Sequence, residues 1–133
     1  MTEQALVEQA RAMQAFSYAP YSNFPVGAAL ECEDGRVFLG CNVENAAYGS
    51  SICAERVALV KAISEGVRNF SRIAIVGSSS APAWPCGECR QVLSEFSPSM
   101  QVLAADHHGN YEESTLDALL PHSFGPQTLG IKD

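Results

Sequence analysis

Residues 26–43 read VGAALECEDGRVFLGCNV, and this stretch predicts a β-hairpin. Two runs rich in β-forming residues, 26–32 and 37–43, flank Asp34-Gly35, and Asp-Gly is a strong signal for a two-residue turn. With the turn placed there, paired residues have numbers that sum to 69. Asn42 and Glu44 then share one face, opposite small Gly27 and Pro25, where another molecule has room to approach. The other face carries the apolar positions Val26, Ala28, Leu30, Cys32, Val37, Leu39, Cys41 and Val43.

Helices and strands alternate around this hairpin. Apolar spacing predicts a helix over residues 2–17, and Ser50-Ser51 is a suitable cap for a second helix that ends near Ser64. We expect a buried strand over 72–77, a helix over 86–96, a strand over 102–105 and a short helix over 114–120. This order predicts one α/β domain, residues 1–133, with a mixed sheet that is antiparallel at the hairpin and parallel where helices cross over.

The composition argues against several classes of partner. Lysine and arginine total 8 against 15 aspartate and glutamate residues, which gives a formal net charge of −7. Without a basic cluster, we expect no nucleic acid partner. No apolar run approaches the ~18 residues that cross a bilayer, and the N-terminus lacks a secretion signal. We therefore expect no membrane partner, a cytoplasmic location and a small uncharged substrate.

The cysteines favour a metal site. Five is an odd number, so a complete disulfide framework is not expected. Cys86 and Cys89 lie at i and i+3 in the first turn of one predicted helix, and Cys53 lies at the start of another. Helix N-termini stabilise thiolates, which bind a borderline-soft cation such as Zn²⁺. These three cysteines predict one zinc per chain, with the fourth tetrahedral position left for water. Cys32 and Cys41 are expected to be inert core residues.

Two charged residues beside Cys53 are candidates for roles in catalysis. Glu55 is the candidate proton carrier for a zinc-activated water, although a spacing of two does not by itself place it on the same helical face as Cys53. Arg56 lies at i+3 from Cys53 and is expected to offset the net negative charge of a zinc ion with three thiolates. The alternative for Arg56 is a surface ion pair with a neighbouring carboxylate. Arg90, directly after Cys89, is a candidate for assisting it.

These motifs resemble a known family. Cys53-x-Glu55, followed about thirty residues later by Pro85-Cys86-x-x-Cys89, is similar to the signature of zinc deaminases, with Cys53 in place of a histidine. The stretches NFPVGA at 23–28, GCNVEN at 40–45 and LLP at 119–121 with Phe124 resemble cytidine deaminases, specifically the small homotetrameric type with three cysteine zinc ligands. The resemblance covers most of the chain. It implies a three-layer α/β/α fold with a mixed sheet of about five strands.

The resemblance also implies an activity. Members of this family take part in pyrimidine salvage and hydrolyse cytidine and deoxycytidine to uridine and deoxyuridine plus ammonia. Zinc-bound hydroxide is then expected to attack C4 of the base, with Glu55 as the proton shuttle. Glu88 departs from the family pattern, because the position between the two zinc cysteines is usually held by a small residue.

Several substrate contacts are implied by the resemblance rather than by spacing. Asn42 and Glu44 correspond to residues that hold the ribose hydroxyls. Phe24 corresponds to a residue that packs on the base, and the backbone amide of Ala54 to one that contacts the pyrimidine carbonyl. Tyr48 and Phe124 correspond to positions that neighbouring subunits of a tetramer contribute to each other's sites.

Two alternatives remain open at this point. A free base, a nucleotide or a nucleoside antibiotic is an alternative substrate, although Asn42 and Glu44 favour a sugar and the lack of basic residues disfavours a phosphate. A structural zinc or redox module without turnover is the alternative to an enzyme. Trp84 is interpreted as a brace for the loop that enters the cysteine-bearing helix.

Overall fold

A computed structural model describes residues 1–131; residues 132–133, the end of the predicted domain, lie outside the described part. The helices are α1 (Glu3–Ala12), α2 (Ala54–Ser64), α3 (Gly87–Ser94) and α4 (Leu116–Leu119). The strands are β1 (Gly27–Cys32), β2 (Val37–Cys41), β3 (Phe70–Val76), β4 (Gln101–Ala105) and β5 (Tyr111–Thr115). Short 3₁₀ helices occupy Met13–Phe16, Tyr48–Ser50 and Pro126–Leu129.

The strands form one five-stranded mixed sheet in the order β2-β1-β3-β4-β5. Strand β1 pairs antiparallel with both β2 and β3, and β4 pairs antiparallel with β5. Strands β3 and β4 are parallel and are joined by α3, as a crossover helix requires. The predicted mixed sheet, antiparallel at the hairpin and parallel at a helical crossover, is confirmed.

Helices cover both faces of the sheet, which confirms the three-layer α/β/α fold. One layer is α1, which packs on β1 and β3; on the other side, α2 packs on β2 and β1 and contacts α3, which in turn contacts α4. The core on the α1 side contains Leu6, Val7, Ala10, Ala29, Ala74, Val76, Leu103 and Ala105. The core on the opposite side is larger and includes Leu30, Phe38, Leu59, Ile73, Ile75, Leu93, Val102 and Leu116.

The hairpin forms where it is predicted, but its predicted register is wrong by one residue. Paired residues sum to 68, as in Gly27 with Cys41, because the loop holds three residues rather than two. The amide of Cys32 donates to Arg36 O at 2.8 Å across the loop, and Gly35 closes it with φ 93°. Glycine adopts this conformation without steric cost. The observed register places Cys32 and Cys41 on opposite faces of the hairpin, and helices on both sides of the sheet bury β1 on both faces.

Helix α2 begins later than predicted. Its N-cap is Cys53 rather than Ser50 or Ser51, because Ile52 is still extended and pairs with Val43. The two backbone amides of that pair donate to the opposite carbonyl oxygens at 2.9 and 3.0 Å. Because the chain is extended and paired up to Ile52, helix α2 cannot begin before Cys53.

The predicted short helix over residues 114–120 is also partly wrong. Ser114 and Thr115 belong to β5, where they pair with Val102 and Gln101 of β4. Only Leu116–Leu119 is helical. The side chains of β5 are mostly polar and partly exposed, as is usual at a sheet edge, so apolar periodicity does not reveal this strand.

A close backbone approach places α2 against the edge strand. A Cβ atom added at Gly40 of β2 would lie 2.5 Å from Ala54 O and 2.7 Å from Ala58 N. Only glycine lets the first turn of α2 rest on the sheet at this depth.

Within residues 1–131, no helix is long and apolar enough to span a membrane.

Candidate active site

Three cysteine thiols converge where α2 and α3 begin. Cys53 is the N-cap of α2, Cys86 is the N-cap of α3, and Cys89 lies in the first turn of α3. Their sulfur atoms all lie within 4.8 Å of one another, and the Cys53 and Cys86 sulfurs are 3.9 Å apart. Zinc–sulfur bonds in a tetrahedral site place the sulfurs about 3.8 Å apart. The cluster therefore fits a zinc ion. The structure brings together the three cysteines that the sequence predicts as zinc ligands.

Local electrostatics favour a thiolate in this cluster. A hydrogen bond from the Cys89 thiol, together with the Arg56 guanidinium, lowers the pKa of Cys53 to about 5. The same hydrogen bond, with burial, raises the pKa of Cys89. Cys53 thus ionises before Cys89, and binding of a cation releases the proton that Cys89 holds.

Arg56 lies between the thiols and a carboxylate. Its Nη2 is 3.6 Å from Cys53 Sγ and 3.6 Å from Glu88 Oε2. Both alternatives from the sequence, a thiol contact and an ion pair, are therefore present together. The Nε atom of Arg56 is buried and finds no hydrogen-bond partner among residues 1–131. The guanidinium is held beside the sulfurs with part of its hydrogen-bonding capacity unused.

Glu55 is a buried carboxyl group facing a cavity. The residue is 4% exposed, and it lines the cavity together with Cys53 and Cys86. Burial raises the pKa of Glu55 to about 7. A cation at the neighbouring thiols would act in the opposite direction and favour the carboxylate. The side chain can therefore accept and return protons near neutral pH.

The cavity in front of the cysteines has a volume of about 330 Å³. Four of the predicted site residues, Phe24, Asn42, Ala54 and Glu55, line it with Cys53 and Cys86. The prediction missed the rest of the wall, which consists of Val26, Ile75, Ser79, Pro82, Ala83 and Trp84. Trp84 both packs on the core and lines the cavity, so its interpretation as a brace is incomplete. The proline-rich loop before Cys86 was the signal that could have identified it.

Asn42 organises the wall that carries Phe24. Its Nδ2 donates to Phe24 O at 2.9 Å, and its Oδ1 accepts from Val26 N at 2.9 Å. The Ser17 hydroxyl also donates to Asn42 Oδ1. Within residues 1–131 the second Nδ2 hydrogen meets no acceptor, so it is left for another molecule, because an asparagine amide carries two hydrogens.

Glu44 and Tyr48 line a second cavity, of about 320 Å³, with Tyr21, Ser22 and Ser51. Glu44 Oε1 accepts from the backbone amides of Tyr21 at 3.0 Å and Ser22 at 3.1 Å. A hydrogen bond from the Ser22 side chain is the main cause that lowers the pKa of Glu44. The Tyr48 ring meets Tyr21 edge to face, with centroids 5.8 Å apart. Asn42 and Glu44 therefore line two different cavities within this chain.

Phe124 lines neither cavity. Its side chain is 57% exposed, and its carbonyl accepts a hydrogen bond from Gln91 Nε2 at 2.8 Å. Arg90 donates to Pro85 O at 2.7 Å and to Leu119 O at 2.8 Å, so it braces the loop and tail. The helix that carries Cys89 thus also holds the C-terminal tail, whereas the Phe124 ring lies on the surface.

Known proteins are similar to this chain in sequence and in fold. The family model described as the cytidine and deoxycytidylate deaminase zinc-binding region matches residues 1–105. Cytidine deaminase from Sporosarcina psychrophila is 45% identical over 97% of this chain and 96% of its own length. The corresponding figures for cytidine deaminase from Halalkalibacterium halodurans are 46%, 97% and 98%. The crystal structure of cytidine deaminase from Burkholderia pseudomallei aligns with a TM-score of 0.90 at 49% identity, over 93% of this chain and 100% of that one.

The sulfur cluster leads to a prediction about metal content. We expect the purified protein to hold one zinc per chain after gel filtration, measured by atomic absorption. Cys86→Ser should lose most of this zinc, because the variant removes one of three ligands at an exposed position that packs little against the core. Cys41→Ser is the matched control, since Cys41 lies on β2 outside the cluster. Equal zinc loss in both variants would contradict the assignment.

Proposed function

Because this chain belongs to the family that carries the cytidine and deoxycytidylate deaminase zinc-binding region, we propose that it deaminates cytidine and deoxycytidine hydrolytically to uridine and deoxyuridine, with release of ammonia. One observation carries the proposal: two cysteines of the three-cysteine cluster, Cys53 and Cys86, line the same cavity as the buried Glu55 carboxyl. A structural zinc site usually has four protein ligands, whereas the cluster among residues 1–131 has three.

Cys53, Cys86 and Cys89 hold the metal. A zinc ion at this position supplies Lewis acidity, which makes water a nucleophile at neutral pH. Three thiolates with Zn²⁺ leave one net negative charge, and excess negative charge weakens that acidity. Arg56 offsets it, since its Nη2 lies 3.6 Å from the Cys53 sulfur. Arg56 also forms an ion pair with Glu88, whose side chain is 70% exposed. Water therefore screens the Glu88 carboxylate, and the guanidinium charge still offsets the charge of the thiolates.

Glu55 moves the protons of the reaction. Its carboxylate accepts one proton from the attacking water and delivers it to the pyrimidine ring nitrogen. It then accepts the remaining proton from the hydroxyl group now bonded to the ring carbon and delivers it to the amino group, so that the carbon–nitrogen bond breaks, ammonia leaves and the carbonyl of the product forms. Burial raises the pKa of Glu55 to about 7, and a cation at the neighbouring thiols acts in the opposite direction. A carboxyl under these two opposing influences can both take up and give back a proton near the operating pH. Burial of the carboxyl also keeps competing water away from these transfers.

The cavity wall supplies the contacts to the base. Phe24 packs on the pyrimidine ring. The backbone amide of Ala54 donates to the pyrimidine carbonyl, which is supported by its place as the first residue of α2, where amides have no partner inside the helix.

The sugar is held by polar residues of both cavities, Asn42 of the cavity at the thiols and Glu44 of the second cavity. The free Nδ2 hydrogen of Asn42 and the carboxylate of Glu44 bind the ribose hydroxyls. The lining residues that the structure describes carry no positive charge, which disfavours a substrate phosphate.

The substrate proposal is tested by ammonia release from a panel. We expect the zinc-loaded protein to act on cytidine and deoxycytidine and to act far less on cytosine and cytidine monophosphate. The free base lacks the sugar that Asn42 and Glu44 bind, and the nucleotide places a phosphate in an acidic protein. Faster turnover of cytosine or of cytidine monophosphate than of the nucleosides would show that the free base or the nucleotide is the substrate. A zinc-loaded protein that releases ammonia from none of the four would overturn the proposed enzyme.

The proton-transfer role of Glu55 is tested by Glu55→Gln. We expect a folded, zinc-loaded protein whose turnover of cytidine falls at least ~10²-fold, the lower range for removal of a general acid-base. Glu65→Gln is the matched control, because it makes the same change at an exposed residue at the other end of α2. Near-parent turnover by Glu55→Gln would show that another group carries the protons.

We further propose that the single domain, residues 1–133, assembles as a tetramer in the cytoplasm, where thiol ligands stay reduced. Tyr48 and Phe124, which are 74% and 57% exposed, then complete the sites of neighbouring subunits. A chain of this length has little material for a lid, and a neighbour supplies the wall that excludes water. The surface position of Phe124 supports this role over packing in its own core.

Shared sites are tested by mixing two impaired variants, Glu55→Ala and Phe124→Ala, after dissociation and reassociation. We expect activity above that of either variant alone, because some sites then combine an intact Glu55 with an intact Phe124 from the neighbour. Mixing Glu55→Ala with Cys86→Ser is the control, since both residues belong to one chain's site and no mixed site is complete. Absence of recovery in verified mixed tetramers would place Phe124 outside the neighbour's site.

A further inference from the structure

Gln14 lies outside the cavity but contacts two segments that form it. The residue belongs to the 3₁₀ helix Met13–Phe16, which follows α1, and it is half-buried. Its Nε2 donates to Pro25 O and to Gly77 O, each at 3.1 Å. Val76 O and Ser78 Oγ lie 3.5 Å from the same nitrogen. One side-chain amide therefore bridges two stretches of backbone that are far apart in the sequence.

The bridge stands where strand pairing ends. The last pair between β1 and β3 joins Gly27 to Val76, and the next residues outward along the two strands are Val26 and Gly77. Pro25 has no backbone N–H, so it cannot donate to extend the ladder. The two carbonyl oxygens of Pro25 and Gly77 need donors, and the two hydrogens of the Gln14 amide supply them. The Ser78 hydroxyl is a second donor to Pro25 O.

The opposite side of these segments faces the cavity. Phe24 and Val26 line it from the first segment, and Ile75 and Ser79 line it from the second. The Phe24 ring also rests on the backbone at Gly77, because a Cβ atom added there would lie 3.3 Å from Phe24 Cε1. Gln14 thus binds the backbone next to Phe24 and the surface on which the Phe24 ring lies.

We propose that Gln14 is a positioning residue that sets the place of Phe24 in the substrate cavity by donating to Pro25 O and Gly77 O. This inference rests on the proposed function, in which Phe24 packs on the base. Gln14 does not touch the thiols or Glu55, so its contribution is to substrate binding. Loss of both donors removes the side-chain donor of Gly77 O and leaves Pro25 O with the Ser78 hydroxyl alone, which lets the two walls separate.

Three substitutions at Gln14 distinguish the effect of its hydrogen-bond donors from the effect of its side-chain volume. Gln14→Met keeps the length and removes both donors. Gln14→Glu places a carboxylate opposite two carbonyl oxygens, and Gln14→Lys keeps a donor at the end of a long side chain. Gln4→Met is the matched control, because Gln4 is exposed on α1 and bonds only to Glu8 among the described contacts. For each protein, KM and kcat for cytidine, zinc content and melting temperature are measured.

We expect Gln14→Met to raise the KM for cytidine about 5-fold or more, the effect of losing one or two hydrogen bonds, and Gln14→Glu to raise it further. The kcat and the zinc content should stay near the parent values, and Gln14→Lys and Gln4→Met should keep the parent KM. The inference is overturned if Gln14→Met and Gln14→Glu leave the KM for cytidine unchanged, or if Gln14→Lys raises KM as much as Gln14→Met does. It is also overturned if kcat falls by as large a factor as KM rises. If Gln14→Glu does not fold, the Met and Lys variants decide. An inactive zinc-loaded parent overturns the proposed function and this role with it, whereas an active parent with unaffected variants overturns the role alone.

Discussion

The site depends on the separation of two helix starts. Cys53 and Cys86 are the N-caps of α2 and α3, and their sulfur atoms lie 3.9 Å apart. That distance requires α2 to sit deep on the hairpin, which Gly40 permits, and requires extended pairing to continue to Ile52 before the helix begins. Because both helices point their N-termini at the cluster, the same packing that seats the helices also stabilises negative charge on the sulfurs.

Charge and burial give different protonation states to residues that are close in sequence. Cys53, Glu55 and Arg56 lie within one turn of α2, yet each meets a different environment. Cys53 accepts a hydrogen bond from the Cys89 thiol and contacts a guanidinium, and both favour its ionised form, whereas Glu55 is buried, which favours its protonated form. A thiolate cluster and a carboxyl that titrates near neutral pH are what metal-assisted hydrolysis needs side by side.

Much of this could be predicted from the sequence, for reasons that are local. The three cysteines and Glu55 follow a spacing specific enough to identify a zinc deaminase pattern, and the alternation of strands and helices indicates the mixed sheet. The hairpin register could not be predicted, because Asp34-Gly35 suits a loop of three residues as well as one of two. Strand β5 has no apolar period, and Gln14 makes contacts that only the folded chain creates.

Hydrolysis at this site requires that three cysteines hold zinc and that no fourth protein side chain binds it. X-ray absorption at the zinc edge of the purified protein tests this most directly, because it reports the number and type of atoms bound to the metal. We predict three sulfur ligands at about 2.3 Å and one lighter ligand that does not come from the protein. Four sulfur ligands, or a histidine nitrogen in the fourth position, would describe a closed structural site and would contradict the account.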